Sequence, residues 1–188
     1  MTFCCTSLLK NCIQPRVKKI LLILYYMFLQ RIPMHPMPGW KIGYALRAWV
    51  AKHVFLHCGK NVIIKDRCYF GDGHRMSLGD RSQLGQNSRM QGTITIGDDC
   101  VMGPDVVMMA TSHEFKDIDT PINRQGSKPE EPIVIGNDCW IGTRVVILPG
   151  VHLGNKCIVA AGAVVTHSFP DGCIIGGVPA KLIRNRLN

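Results

Sequence analysis

Seven histidines and nine cysteines are this 188-residue chain's main stock of groups able to move protons or attack carbon. Histidine matters most, because an unperturbed imidazole with a pKa of about 6.5 takes up and returns a proton near neutral pH. His113 sits in the run Thr111 to Phe115 (TSHEF), directly before a stretch rich in Pro, Asp and Glu. His152 and His167 fall inside regular patterning, where a surface imidazole at a chain corner is the plainer reading. The cysteines are odd in number and form no CxxC pair, and Cys100, Cys139 and Cys157 recur at a position that wants a small buried side chain. That pattern indicates free thiols in a reducing cytoplasm and not a disulfide framework. Spacing singles out a further group. Thr143, Ala161 and Pro179 recur at one constant interval. Residues so far apart act together only if a regular scaffold aligns them, so the repeat must be found first.

The period is six. Hexads start at Leu78, Leu84, Met90, Ile96, Met102 and Met108, then at Ile135, Ile141, Ile147, Leu153, Val159 and Val165, all aliphatic or Met. Seven of these twelve starts are followed by Gly. Four residues after most starts comes a small or β-branched side chain (Ser82, Ser88, Cys100, Val106, Ser112, Cys139, Val145, Val151, Cys157, Ala163), with Ile94 and Phe169 larger; weaker hexads open at Cys58, Ile64 and Phe70. Two inward positions in six fit neither a helix nor an alternating strand. They fit a three-sided prism: one short strand and a corner per hexad, three hexads per coil, and coils stacked about 4.8 Å apart by parallel hydrogen bonds. The glycines are expected to let the corners adopt positive φ. Thr143, Ala161 and Pro179, each three hexads from the next, then stack on one edge. Gln83 precedes His113 by five hexads, which is one coil plus two sides of the prism. The two therefore fall on different edges, and only prisms placed side by side bring them together.

The two hexad blocks are out of phase, because Met108 and Ile135 are separated by four hexads and three places over. The segment 114–132, with three prolines and five acidic residues, is therefore expected to loop out as an active-site arm beside His113. Residues 1–57 read as an N-terminal helical segment and 58–184 as the β-helix domain. Ile20 to Leu29 is an unbroken apolar run flanked by Arg16, Lys18 and Lys19, too short to span a bilayer and followed by no small-x-small cleavage site. It reads as an uncleaved helix. Beyond Pro33, Pro36 and Pro38, a second, amphipathic helix is expected, with Ile42, Ala45, Leu46, Trp49 and Val50 as its apolar stripe.

Thr111 to Phe115, Pro132 to Gly154 (PIVIGNDCWIGTRVVILPGVHLG) and Ala160 to Arg184 (AAGAVVTHSFPDGCIIGGVPAKLIR) resemble the hexapeptide-repeat acyltransferases of the galactoside/maltose O-acetyltransferase type and relatives that decorate bacterial surface polysaccharides. The resemblance covers about Cys58 to Arg184 and does not extend to the helical domain that opens the galactoside and maltose enzymes. It implies an all-β solenoid, a left-handed parallel β-helix, assembled as a homotrimer. It further implies transfer of an acetyl group from acetyl-coenzyme A to a hydroxyl of a sugar or lipid-linked glycan, by direct attack without a metal. His113 matches the general base and Gln83 the amide that holds the acceptor, usually Asn. Thr143 matches a residue that polarises the thioester carbonyl, Ala161 leaves room for the pantetheine arm, and Thr166 lines its path. Lys181 and Arg184 match basic positions that hold the nucleotide phosphates, and Trp140 flanks the acyl site; His167 stands where Lys is common.

Other readings stay open. Serine or an antibiotic could supply the hydroxyl, and a non-catalytic β-helix would share the repeat. A γ-type carbonic anhydrase uses the same prism with zinc held by histidines, but needs a second His five places after His113, where this chain has Ile118. The net charge of +9 favours anionic partners, and the chain shows no RNP, zinc-finger or helix-turn-helix signature, which disfavours nucleic acid. Lys10 and the basic residues beside the apolar run add attraction to anionic lipid. A cytoplasmic enzyme, peripheral on the inner membrane face through residues 16–31, is the expectation.

Overall fold

The computed structural model describes residues 14–186, a three-sided parallel β-helix with two helices at its N-terminal end. The hexad positions behave as the period requires: all twelve hexad starts from Leu78 to Val165 are at most 2% exposed and fill the prism. Burying an aliphatic side chain contributes about 1.5–3 kcal/mol, so this single file of residues is the main source of cohesion between coils. Nine of the ten small positions are also buried; Ser112 is exposed because the chain leaves the prism there.

Three stacks of short strands form the faces. The first comprises His57–Cys58, Met76–Leu78, Ile94–Ile96, Ile133–Ile135 and His152–Leu153. In the second, Val101–Met102, Trp140–Ile141, Ile158–Val159 and Cys173–Gly176 end on an antiparallel strand, Lys181–Asn185. The paired strands Ile63–Ile64 and Gln83–Leu84 extend this face downward, as the Gln83 N–H donates to Cys100 O at 2.9 Å. The third holds Arg89–Gln91, Val107–Met109, Val146–Ile147 and Val164–Val165. Register follows the coil length. Ser77 lies opposite Thr95 and Val134 opposite His152, each pair one full coil apart. Thr95 lies opposite Val134, a step of one coil plus the inserted arm.

Gly150 and Gly162 adopt positive φ at corners as expected, but the glycines that directly follow hexad starts work differently. At the corners, positive φ falls on residues such as Arg81, Asn87, Asp99, Asp105, Asp138, Arg144 and Lys156, two places beyond a hexad glycine or its equivalent. The hexad glycines serve close approach: a Cβ on Gly142 would lie 2.6 Å from Ala161 N on the next coil. At the corner before the second face, Cys100, Cys139 and Cys157 each donate a thiol hydrogen bond to a carbonyl of the next coil, at 3.0 Å (Gly136), 3.2 Å (Gly154) and 3.2 Å (Pro170). All six described cysteines are free; Cys4, Cys5 and Cys12 lie outside the described residues, as does Lys10.

The apolar run folds as α1 (Pro15–Met27) followed by a 3-10 turn at Leu29–Arg31. Only Leu21 and Tyr25 of α1 are buried, and the Tyr25 hydroxyl donates to Cys68 O at 2.7 Å. The second helix, α2 (Trp40–Val54), packs Gly43, Arg47, Val50, Ala51 and Val54 inward. Of the expected stripe only Val50 is buried, and Ile42 and Trp49 are at least half exposed. The face turns because Arg47 is fully buried: its guanidinium donates to Ile64 O (2.7 Å), Ile32 O (2.8 Å) and Leu29 O (3.1 Å). These bonds tie α2, the 3-10 turn and the first coil together. Among the described residues no helix is long and apolar enough to cross a membrane.

Candidate active site

The candidate residues fall on two different edges of the prism. Between the second and third faces, Thr143 and Ala161 occupy the same corner on successive coils, and the Gly162 N–H donates to Thr143 O at 2.8 Å. Trp140, in register with Val101 below and Ile158 above, stands beside them with more than half its surface exposed. Trp140, Thr143, Ala161, Gly103 and Gly142 wall a mainly apolar groove of about 340 Å³. Because Gly142 has no Cβ, the floor of the groove is bare backbone, and a thin flexible chain can lie along it.

The column ends differently from its sequence spacing. Ile158 lies opposite Ile174, two places short of a full coil, so the place above Ala161 belongs to Gly177 and Pro179 falls beyond it. No hexad count in this irregular stretch reveals the shortening. Lys181 lies opposite Gly176 and Arg184 opposite Ile174, both exposed at the C-terminal end of the same face, above the groove and not within it. Gln83, half-buried, belongs to this face as well, one row below Val101.

His113 and Thr166 lie elsewhere. Both follow strands of the third stack, at the edge between the third and first faces, so neither meets the groove within one chain. Thr166 Oγ1 is 3.2 Å from His167 Nδ1. His113 is exposed at the root of the arm, bridged to Ser127, and among the described residues its imidazole makes no hydrogen bond. Glu114 does not orient it, since its Oε1 accepts from the Phe115 and Lys116 N–H groups at 3.0 and 3.2 Å. Those two bonds, with burial opposing them, hold the Glu114 carboxyl below its ordinary range. The arm is ordered by its own contacts. A short helix, α3 (Ile122–Gln125), lies within it, and the Gln125 amide donates to Asp117 O and Thr120 O.

A polar cavity of about 220 Å³ that the motifs did not reveal lies on His113's edge, lined by Tyr69, Asp72, Arg75 and Gln91 among others. It adjoins the arm: Gln91 O accepts the Ala110 N–H at 2.9 Å, and Arg75 forms an ion pair with Glu130 at the arm's far end. Glu130 also accepts the Thr93 N–H; burial raises its carboxyl, but these partners outweigh burial and hold it below the ordinary range. One sequence signal points here, because Phe70 and Leu78 are two places farther apart than the period allows. The extra pair makes room for the corner loop. Among the described residues no group of three or more His, Cys, Asp or Glu is arranged to hold a metal.

The repeat matches the family described as hexapeptide repeat of succinyl-transferase, over residues 75–107 and 132–167. The galactoside O-acetyltransferase of Escherichia coli (strain K12) is 32% identical over 140 residues, covering 73% of this chain and 68% of that protein. The chain belongs to the hexapeptide-repeat acetyltransferases. Their left-handed β-helix is therefore its fold. A galactoside acetyltransferase solved in complex with coenzyme A superposes with a TM-score of 0.74 at 28% identity, covering 91% of this chain and 80% of that one. A hexapeptide-repeat acetyltransferase from Vibrio cholerae O1 biovar eltor, complexed with acetyl-coenzyme A, gives 0.73 at 26%, covering 90% and 87%. The β-helix domain alone is too short to fill 91% of this chain, so the superpositions reach into the helical segment as well.

Proposed function

We propose that the chain is an acetyl-coenzyme A-dependent O-acetyltransferase acting on a sugar hydroxyl, with each active site completed between two copies in a homotrimer. The observation that carries this reading is the division of the site. Trp140, Thr143, Ala161 and Gln83 belong to the second face or its edge, while His113 and the polar cavity belong to another edge. A closed ring of parallel prisms sets one subunit's groove against the next subunit's histidine. The named relatives support both substrates, one being a galactoside O-acetyltransferase and two being solved with coenzyme A or acetyl-coenzyme A.

In this reading His113 accepts the proton of the acceptor hydroxyl as that oxygen attacks the thioester carbonyl carbon. The C–S bond then breaks and the imidazolium returns its proton to the departing sulfur, so the histidine ends as it began. The Thr143 hydroxyl donates to the oxygen on which charge develops. Lys181 and Arg184, at the end of the groove's face, pair with the nucleotide phosphates, and Thr166 reaches the path of the arm from the neighbouring subunit. Gln83 and the cavity of Tyr69, Asp72, Arg75 and Gln91 hold the sugar, whose hydroxyls suit a polar lining. Ile20, Ile23, Met27 and Phe28 on α1 and its exit are more than half exposed near Arg16, Lys18 and Lys19, which supports peripheral attachment to the cytoplasmic face of the membrane, where lipid-linked glycans reside.

Subunit mixing tests the shared site. At acetyl-coenzyme A well below the raised KM of Ala161→Trp, His113→Ala and Ala161→Trp are each expected to have little activity alone. Refolded together at equal ratio, they regenerate wild-type pairs at about a quarter of the interfaces, and a similar share of coenzyme A release on a sugar panel returns. No recovery from folded mixed trimers would place the whole site in one chain and refute the reading.

A further inference from the structure

The excess positive charge of this chain is concentrated in residues 1–65. Residues 1–65 hold ten of the 22 Lys and Arg and none of the 13 Asp and Glu, leaving 12 against 13 for the remainder. Nine of the ten lie in the described helical cap and the start of the first coil, at the opposite end of the prism from Lys181 and Arg184. Within this basic cap lies a cavity of about 320 Å³ between α1, the last turn of α2 and the first strand. Its polar lining is Lys18, Lys52, His53, His57 and His74, with no carboxylate among the lining residues.

The two lysines make no ion pair among the described residues. Lys52 acts on the cavity wall: burial pushes the Cys58 thiol up to about 11, and the nearby ammonium works against that rise. Two of the imidazoles are fixed by partners outside the cavity. His53 Nδ1 lies 2.7 Å from Trp49 O, and His74 Nδ1 lies 2.5 Å from Asp72 Oδ1. In each the partnered Nδ1 carries a proton toward an acceptor oxygen, so Nε2 faces the hollow and donates to an anion only when the ring takes up a second proton. The C-terminal end of α2 contributes roughly half a negative charge here, which two full lysine charges outweigh. The hollow thus gathers two lysines without an ion pair and three imidazoles, one of them on Asp72, and lysine is a well-suited partner for phosphate.

We propose that this cavity is a phosphate-binding site, distinct from the coenzyme A groove, that receives the phosphate group of a soluble phosphorylated molecule or of a lipid headgroup. Its volume admits a pyrophosphate or a phosphorylated sugar. The proposal is independent of acetyl transfer.

Titration of the full chain with inorganic pyrophosphate by calorimetry tests it. The double variant Lys18→Gln, Lys52→Gln is expected to weaken binding at least tenfold, while its affinity for coenzyme A stays unchanged and shows that it is folded. Lys181→Gln with Arg184→Gln is expected to weaken coenzyme A, whose phosphates those residues hold in the proposed reading, while the pyrophosphate event lost in the cap variant persists. No heat with the wild type, or equal affinity in the cap variant, overturns the proposal, as does loss only in the C-terminal variant. Vesicles then distinguish the sources. If pyrophosphate displaces the chain from phosphatidylglycerol vesicles, the ligand is a headgroup; if pyrophosphate binds and vesicles do not compete, it is a soluble phosphorylated molecule.

Discussion

Ala161→Trp tests the groove most directly. Ala161 is exposed, at a corner where Gly142 presents bare backbone and Trp140 and Thr143 supply the walls. An indole brings about 150–250 Å² of apolar surface, enough to lie across a groove of about 340 Å³. If it displaces the equivalent of three methylenes of the pantetheine arm, at about 0.8 kcal/mol each, the loss is about 2.4 kcal/mol. That is roughly a 50-fold rise in Kd for coenzyme A, with KM for acetyl-coenzyme A following wherever chemistry is slower than dissociation. Stability should hold, since a substitution away from the core costs within about 0.5 kcal/mol, or less than about 2 °C in Tm at this chain length. Calorimetric titration of coenzyme A, with a melting curve on the same sample, reads both quantities. A folded variant that binds coenzyme A as the wild type does would show that the donor lies elsewhere.

Three further outcomes follow from particular contacts. His113→Ala is expected to lower kcat/KM by about 10²–10⁴ without shifting Tm, because the imidazole is exposed and makes no hydrogen bond among the described residues; retention of more than a third of the activity refutes its role as base. Gly142→Ala places a Cβ 2.6 Å from Ala161 N and 2.8 Å from Val159 O, both backbone atoms that cannot swing away. Overpacking of about 1–3 kcal/mol should lower Tm by roughly 2–12 °C, and an unchanged Tm would show that the coils separate at little cost. Arg47→Met keeps the volume but strips donors from three carbonyls, so a loss of about 3 kcal/mol is expected in urea unfolding; a loss below about 1 kcal/mol would mean that the cap is held by its apolar contacts alone.

How far the sequence can be read depends on whether a residue answers to its neighbours in the repeat or to something outside it. Hexad starts such as Met102 and Ile141 answer only to the period, so counting by six puts them inside the prism. Period also separates Gln83 from His113. The repeat marks Gly142 but suggests the wrong reason for it, because crowding from an adjacent coil is invisible in a one-dimensional pattern. Spacing misplaces Pro179, since the shortened last coil is fixed by how Cys173–Gly176 pairs and not by any motif. On α2 the apolar stripe points to Ile42 and Trp49, yet the packed face is set by Arg47, a charged residue buried only because three carbonyls converge on it. The cavity lined by Tyr69, Arg75 and Gln91 depends on a small irregularity at one corner, too slight a signal to name its lining.

The arm carrying His113 at its root is an insertion whose two ends are held together. The Ala110 N–H bonds back to Gln91 O at 2.9 Å, and the Glu131 N–H closes the insertion on Ala110 O at 2.8 Å. Because that closure restores register, Val107 meets Val146 and Val101 meets Trp140 as though nothing intervened. The length of the arm is thereby mechanically decoupled from the groove of Trp140, Thr143 and Ala161, and doubling it costs only about 0.6 kcal/mol in closure entropy. Arms of other lengths and compositions, grafted between Phe115 and Gly126 so that His113 stays at the root, could redirect the enzyme to a different acceptor while the coils around Trp140, Thr143 and Ala161 stay as they are.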